Sequence, residues 1–238
     1  MILSIENSTS NLSLTLLINN QVINKVSIQI KNDLSEMIIP TIKNFIKNNS
    51  ITFLNISLLV VGCGPGSFTG IRAVISAAKG IYLSNKHIKI IGINSLAGLA
   101  MSALIEVKNR NIQYIIASID TKRDDFFLQL FKVHNCNEKL LPFSAINSIQ
   151  PIKLENLNDY IVENKLIAEE FFCVGCISKL LKNKVTNIKF SKELIQTPDA
   201  LWVGKLGSCI VNNNINYKNS KIAYDELKPI YVRSAEIN

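Results

Sequence analysis

The segment with the strongest chemical signature is Val60–Arg72, VVGCGPGSFTGIR, in which four glycines lie between an apolar run and an amphipathic one. Glycines at such a junction let the backbone approach closely, and Ser67 or Thr69 can cap the helix that follows. The N-terminus of a helix offers unpaired N–H groups and the positive end of its dipole, which suit a phosphate. The segment therefore predicts either a phosphate contact or a tight strand-to-helix connection, and both alternatives stay open.

The pattern matches neither of the common phosphate loops. No GxxxxGK[ST] occurs, and GxGxxG fits Gly64-Pro65-Gly66 only if Thr69 replaced the last glycine. No catalytic residue and no metal ligand is assigned, because His87 and His134 are far apart and no second cysteine pair accompanies the CxxC at Cys173. The predicted nucleotide neighbourhood joins an acidic residue of the first strand to this segment: Glu6, Gly64, Gly66, Ser67, Thr69, Gly70 and Arg72.

The first half of the chain must position these residues. It opens with three predicted strands, Ile2–Ile5, Leu12–Ile18 and Gln21–Ile30, with Asn19-Asn20 as a two-residue turn. Helical spacing and capping residues then predict alternating helices and strands. These are the helix Leu34–Asn48 capped by Asp33, the strand Ile56–Val61, the helix Thr69–Ser84, the strand Lys89–Ile93, and the helix Leu96–Ile105 capped by Ser95.

The second half repeats this order of strands followed by helices. The predicted elements are the strands Tyr114–Asp120, Asp125–Val133 and Phe171–Cys176, the helices Ile177–Asn183 and Asp199–Asn212, and the extended piece Pro229–Val232. We therefore predict an α/β fold of two tandem ribonuclease-H-like lobes, as in the actin-like ATPase superfamily, with mixed sheets flanked by helices. The lobes are placed at 1–106 and 107–238, with the tail from about 222 packing back on the first lobe.

Composition excludes several classes of protein. The chain has 238 residues, of which 47% are hydrophobic, so disorder is not expected. No apolar run approaches the roughly 20 residues of a membrane span, and Met1–Ser10 lacks the basic start of a signal peptide, so a cytoplasmic protein is expected. The net charge is +8, but the lysines are spread along the chain without an arginine-rich stripe. Direct RNA binding therefore has little support from the sequence.

The helix after the glycines carries small residues on one side, which would let another helix approach closely. Such a side either packs inside its own lobe or docks a partner. We predict a partner interface on this helix and the preceding one, formed by Leu34, Met37, Ile38, Thr69, Arg72, Ala73, Ser76, Ala77 and Gly80.

The string GPGSFTGIR followed by an Ala- and Gly-rich helix is similar to the signature of the TsaB family, also called YeaZ. Further pieces agree in order from residue 2 to residue 233. They are Ile2-Leu3-Ser4-Ile5 with Ser8-Thr9, Asn94-Ser95-Leu96, Ile119-Asp120-Thr121-Lys122-Arg123, Pro198-Asp199-Ala200, and Pro229-Ile230-Tyr231-Val232-Arg233.

The resemblance implies an actin-like fold without intrinsic catalysis. It implies a subunit that binds and supports a TsaD-like catalytic paralogue, which forms threonylcarbamoyladenosine in tRNAs reading codons that start with adenine. Association with a TsaE-like small ATPase is also implied, tRNA is reached through the complex, and the same helices allow a homodimer when the partner is absent. No intrinsic cofactor is implied, although weak ATP or ADP binding stays open, and no membrane is involved.

The sequence departs from the family at two places and leaves rival functions to weigh. Glu6 stands where the family has Asp, and Leu34-Ser35-Glu36 replaces the common His-Ser-Glu. An ATP-dependent phosphotransferase would use Glu6 and Asp120 near a metal, although Asp120 can equally cap a turn with Thr121. A peptidase is disfavoured, since the chain has no paired histidines for zinc and no GxSxG.

Overall fold

A computed structural model gives the fold and describes residues 1–29, 34–134, 141–166, 170–181, 188–190, 195–213 and 226–233. The chain divides into two compact units. Unit 1 contains Met1–Gly98 and Pro198–Ile230, and unit 2 contains Leu99–Thr197 and Tyr231–Asn238. The predicted second lobe, 107–238, therefore differs from unit 2, because the return to unit 1 begins at Pro198 and not at the predicted tail from about 222.

The described residues form eleven strands and six α-helices, whose bounds follow here. The strands are β1 Ile2–Glu6, β2 Asn11–Ile18, β3 Gln21–Gln29, β4 Leu58–Gly62, β5 Lys89–Ile93, β6 Tyr114–Arg123, β7 Asp125–Val133, β8 Phe143–Ala145, β9 Gln150–Ile152, β10 Phe171–Gly175 and β11 Ile188–Phe190. The helices are α1 Leu34–Asn48, α2 Phe68–Ser84, α3 Ser95–Asn109, α4 Leu157–Glu163, α5 Ile177–Leu181 and α6 Ala200–Asn212.

The sheet of unit 1 has the order β3-β2-β1-β4-β5. β1 pairs antiparallel with β2, because the turn between them is short. β1 pairs parallel with β4, because the helix α1 lies between the hairpin and β4 and carries the chain back to the edge where β1 starts. Asn19 and Asn20 both have positive φ, as a two-residue hairpin turn requires. The carboxyl ends of β1, β4 and β5 therefore meet at one edge, and their amino ends meet at the opposite edge.

Alternation along the strands separates two faces of this sheet. Leu3, Ile5 and Val61 are fully buried in a core that includes apolar residues of α1 and α2. Ser4 points the other way, and its hydroxyl donates to the Ala200 carbonyl oxygen at 2.6 Å. The helix α6 thus covers the second face, and a side chain in place of Gly207 would overlap Val60.

Unit 2 contains a six-stranded mixed sheet with the order β11-β10-β6-β7-β8, and β9 pairs with β7. Its buried core lies between this sheet and the helices α4 and α5. No helix was predicted where α4 forms, since only one turn of that helix carries apolar residues at helical spacing, Leu157, Tyr160 and Ile161.

Several boundaries near the glycines differ from the predicted ones. The predicted cap Asp33 lies outside the described residues. α3 continues to Asn109 instead of ending at Ile105, since its last turns bury Val107. In the parts of the chain described above, no helix has the length and apolarity needed to span a bilayer.

Candidate functional site

The Glu6 carboxylate lies at the carboxyl end of β1 and is almost completely buried, with 1% of the residue exposed. The Ser8 backbone N–H donates to Oε1 at 2.6 Å, and the Ser95 hydroxyl donates to Oε2 at 2.9 Å. Burial raises the pKa of this carboxyl, although the hydrogen bonds from Ser8 and Ser95 oppose the shift. Each oxygen therefore has a protein donor, and the group has no open side toward solvent.

The Ser95 hydroxyl links Glu6 to the connection between β4 and α2. Its oxygen accepts a hydrogen bond from the Gly64 N–H at 3.2 Å, and the Ser95 N–H donates to the Gly64 carbonyl oxygen at 2.8 Å. The sequence predicts Ser95 as the cap of α3, and this prediction is wrong. The Asn94 side chain takes that position, since its Oδ1 accepts from the Leu96 N–H at 2.8 Å.

The glycine loop, Gly62–Gly70, packs directly on the residues that follow β1. A Cβ on Gly62 would overlap the Glu6 carboxylate, and a Cβ on Gly66 would overlap the Ser8 carbonyl group. Gly66 also has a φ of 148°, which side-chain-bearing residues rarely adopt. The Ser67 N–H donates to the Ser8 carbonyl oxygen at 2.7 Å. Gly66 is therefore required by the close approach of the Ser8 backbone, and Gly62 by the position of the Glu6 side chain.

The start of α2 is capped by Ser67, whose hydroxyl accepts from the Gly70 N–H at 3.2 Å. Ser67, Phe68 and Thr69 are exposed, and the Arg72 guanidinium lies 3.7 Å from the centre of the Phe68 ring. This cation–π pair was missed by the sequence analysis, although an aromatic residue at the first position of a helix with Arg four residues later was a visible signal.

The predicted nucleotide neighbourhood is thus split by burial. Glu6, Gly64 and Gly70 are buried, whereas Ser67, Thr69 and Arg72 are exposed and Gly66 is half-buried. Asn7 Oδ1 and Ser8 Oγ are buried without a hydrogen-bond partner in the described part of the chain. The residues do not fit a metal–nucleotide group at Glu6, because its carboxylate is enclosed by the protein.

The predicted acidic group of unit 2 also has a local partner. Asp120 Oδ1 accepts from the Lys122 N–H at 2.7 Å, and Oδ2 forms an ion pair with Lys122 Nζ at 2.9 Å. Among the described residues, no group of three or more His, Cys, Asp or Glu side chains is arranged to hold a metal. Burial raises the pKa of the Cys176 thiol to about 11 and raises that of Cys173, so both are protonated thiols at neutral pH.

The predicted partner residues are also divided into exposed and buried ones. Thr69, Arg72, Ser76 and Gly80 are exposed along one side of α2, and Ala73 is half-buried. We call these five residues the α2 face. A Cβ on Gly80 would meet no atom within 4 Å. Beyond Gly80, the next turn adds an apolar side chain, Leu83, which is 52% exposed.

On α1, Met37 is 49% exposed, and the Leu34 side chain lies outside the described set. Ile38 and Ala77, with 2% and 6% of the residue exposed, belong to the core of unit 1. Both must be removed from the predicted surface, because helical periodicity alone does not distinguish the residues that face the sheet from their neighbours.

We expect Glu6→Gln to change how the stability of unit 1 depends on pH. The native pKa of Glu6 is raised above the value near 4.3 of an unfolded chain, so the native state holds the proton more tightly. Protonated Glu6 therefore makes its full contribution to the stability of unit 1 below about pH 4.3. This contribution is lost as pH rises through the native pKa of Glu6. Glutamine does not titrate, so the variant should gain stability relative to the wild type as pH rises.

Urea unfolding between about pH 4 and pH 8 measures this difference. Trp202, the only tryptophan, lies in α6 of unit 1, so its fluorescence follows the unfolding of the relevant unit. Parallel pH profiles for the two proteins would show that the Glu6 pKa is not raised.

Comparison with known proteins gives a family match and several relatives. Residues 22–170 match the model of a family described as TsaD: tRNA N6-adenosine threonylcarbamoyltransferase. The tRNA threonylcarbamoyladenosine biosynthesis protein TsaB of Buchnera aphidicola subsp. Schizaphis graminum is 28% identical over 84% of this chain and 89% of its own. The TsaB protein of Haemophilus influenzae is 24% identical over 84% of this chain and 80% of its own.

The solved structure of YeaZ from Pseudomonas aeruginosa superposes with a TM-score of 0.72. The superposition covers 97% of this chain and 99% of that one at 16% sequence identity. The predicted fold class, two α/β lobes with mixed sheets flanked by helices, is confirmed by this match together with the sheet topology.

Proposed function

Because this chain belongs to the family described as TsaD: tRNA N6-adenosine threonylcarbamoyltransferase, we propose that it takes part in forming threonylcarbamoyladenosine in tRNA. The observation that carries the proposal is the match to proteins named TsaB over 84% of this chain. Those relatives are named for threonylcarbamoyladenosine biosynthesis. The tRNAs concerned are those that read codons starting with adenine.

Within that process the chain acts as a supporting subunit of a TsaD-like catalytic paralogue. The burial of Glu6 supports this role, because a carboxylate enclosed by Ser8 and Ser95 cannot reach a hydrated metal or a phosphate. The α2 face supports it as well: its small, exposed residues let a partner helix approach closely. Within the described residues, the geometry at Glu6 and Asp120 does not favour a phosphotransferase function.

The docking site of the paralogue comprises the α2 face and Met37 of α1. Phe68 with Arg72 supplies the type of aromatic and arginine anchor that dominates binding energy at interfaces. A homodimer through the same surface forms when the paralogue is absent, and a TsaE-like ATPase joins the assembled pair. The proposed location is the cytoplasm, where tRNA is modified.

Any binding of ATP or ADP is weak and is restricted to the exposed start of α2. Ser67, Thr69 and Arg72 are the members of the predicted nucleotide neighbourhood that solvent can reach, and a helix N-terminus favours an anion. Titration calorimetry with ATP, without and with Mg²⁺, measures this contact. The enclosed Glu6 carboxylate predicts no gain in affinity from the metal.

The test is co-expression with the TsaD-like paralogue from the same organism. Size-exclusion chromatography should give a stable heterodimer, and threonylcarbamoyladenosine formation on tRNA should require both chains. ATP hydrolysis by this chain alone should stay at the level of the buffer. Absence of a heterodimer, combined with ATP turnover that is lost in Glu6→Ala, would contradict the proposal and favour a phosphotransferase.

A further inference from the structure

We infer that the amino-terminal edge of the unit 1 sheet binds the phosphate backbone of RNA. The group concerned, here called the basic edge, consists of Lys47, Lys86, His87 and Lys89. The choice of RNA over other polyanions rests on the proposed function, which acts on tRNA. The charge distribution itself is independent of that function.

Strand pairing brings the basic edge together. Ile2 pairs with Leu58 and Leu58 pairs with Lys89, so the starts of β1, β4 and β5 are adjacent, about 5 Å from strand to strand. The Lys89 N–H donates to the Ser57 carbonyl oxygen at 2.9 Å, and the Ser57 N–H donates to the Met1 carbonyl oxygen at 2.9 Å. Lys89 and the start of β1 therefore lie at the same edge of the sheet.

The ends of two helices complete the basic edge. α1 ends at Asn48, one residue after Lys47, and a 3-10 turn at Phe53–Asn55 leads from there to β4. His87 follows the end of α2, and its Nε2 lies 3.2 Å from the Phe53 carbonyl oxygen. Lys47, Lys86, His87 and Lys89 are all exposed.

The carboxylates that the structure describes in unit 1 lie at the other edge. Between Met37 and Ile105 the chain contains no aspartate or glutamate but six lysines and arginines. Among the described acids of unit 1, Glu6 ends β1 and Glu36 lies in the first turn of α1. Asp199 caps α6 next to Ala200, whose N–H donates to Ser13 Oγ of the β2 start.

The last of these acids is Glu226, which precedes Leu227, and Leu227 packs beside Gly92 near the end of β5. Opposite charges are thus separated across the sheet of unit 1, with the described acids at one edge and the basic edge at the other. A concentration of lysines at one edge attracts a polyanion, and lysines that neutralise phosphates release counterions.

A simpler explanation for these lysines is that they stabilise the carboxyl-terminal ends of two helices. The carbonyl ends of α1 and α2 point toward this edge, and Lys47 and Lys86 oppose their negative partial charge. This explanation does not apply to Lys89, because Lys89 is the first residue of the strand β5 and does not lie at a helix end. It also makes a different prediction, a loss of stability on lysine replacement without a change in RNA binding.

The experiment measures the affinity of this chain alone for a fluorescently labelled tRNA transcript, by anisotropy, over a series of salt concentrations. The triple variant Lys47→Glu, Lys86→Glu, Lys89→Glu should bind at least tenfold more weakly. Its logarithmic salt dependence should be shallower by about three units, because three phosphate contacts are lost and each reduces the slope by about one. A second triple variant with glutamine at the same positions should show the same direction of change.

The matched control replaces three exposed lysines of unit 2, Lys132, Lys153 and Lys165, by glutamate. It lowers the net charge by the same amount and should keep wild-type affinity within about threefold. Trp202 fluorescence in urea checks the folding of unit 1, and far-ultraviolet circular dichroism checks that each variant, the control included, keeps its secondary structure.

An equal loss in the control, or no tRNA binding by the wild type at low salt, overturns the inference. Binding to phosphatidylserine vesicles that needs the same three lysines, without tRNA binding, assigns the edge to a membrane surface and also overturns it. Lower stability with unchanged tRNA affinity favours the helix-end account and overturns it as well. Because no partner is present, failure here leaves the heterodimer test of the proposed function unaffected.

Discussion

Gly80→Arg is expected to weaken assembly with a TsaD-like paralogue at least 100-fold, or about 2.7 kcal/mol. Gly80 lies on the exposed side of α2, and a side chain there meets no atom within 4 Å of its Cβ. The fold of this chain should therefore tolerate arginine, which is also about 1 kcal/mol better than glycine inside a helix. At an interface of closely packed helices the same side chain would separate the helices or bury an unpaired charge.

The measurement is the dissociation constant of the heterodimer, by titration calorimetry or size exclusion at several concentrations. Asn158→Arg, at an exposed position of α4 in unit 2, adds the same side chain away from the α2 face and should bind normally. Ala77→Arg is unsuitable as a test, because Ala77 is 6% exposed and arginine would disrupt the core of unit 1. Wild-type affinity of Gly80→Arg would exclude the α2 face as the docking site.

Gly66→Ala is expected to destabilise unit 1 by about 3 kcal/mol or more. Two independent effects contribute. The φ of 148° is unfavourable for alanine, and the added Cβ would overlap the Ser8 carbonyl group, which is backbone and cannot rotate away. Relief would require the glycine loop to move away from Ser8, breaking the Ser67–Ser8 hydrogen bond of 2.7 Å.

Gly80→Ala is the matched control, since it adds the same methyl group to the helix that follows the loop. It should stabilise the protein by up to about 1 kcal/mol, because the position is helical and open. Urea unfolding followed by Trp202 fluorescence measures both changes. The prediction fails if Gly66→Ala and Gly80→Ala change the stability in the same direction.

The glycine loop shows how far the sequence could lead. The four glycines and Ser67 correctly indicated a tight strand-to-helix turn with a capped helix, because these features depend on neighbours in the chain. The sequence could not indicate why Gly62 and Gly66 lack side chains. The Glu6 carboxylate and the Ser8 carbonyl occupy that space, and both come from the end of β1, more than fifty residues away.

Ser95 and Ala77 illustrate the same limit. Its residue type and position make Ser95 a good candidate for a helix cap. The buried Glu6 carboxylate needs hydrogen-bond donors, however, and the Ser95 hydroxyl donates to it, while Asn94 caps α3. Ala77 belongs to a run of small residues that looks continuous in the sequence. Packing against the sheet divides this run into a buried side and the exposed α2 face, and only the exposed side can meet a partner.

The order of the strands and helices from β1 to α3, the position of the glycine turn and the family resemblance can be read from the sequence, because each is carried by residues close together along the chain. Only the tertiary structure shows that α6 belongs to unit 1, that Glu6 is enclosed, and that Lys47, Lys86 and Lys89 lie at one edge. Such features depend on which distant segments pair and pack. A spread of lysines along the chain therefore becomes a cluster only when parallel strands align their starts.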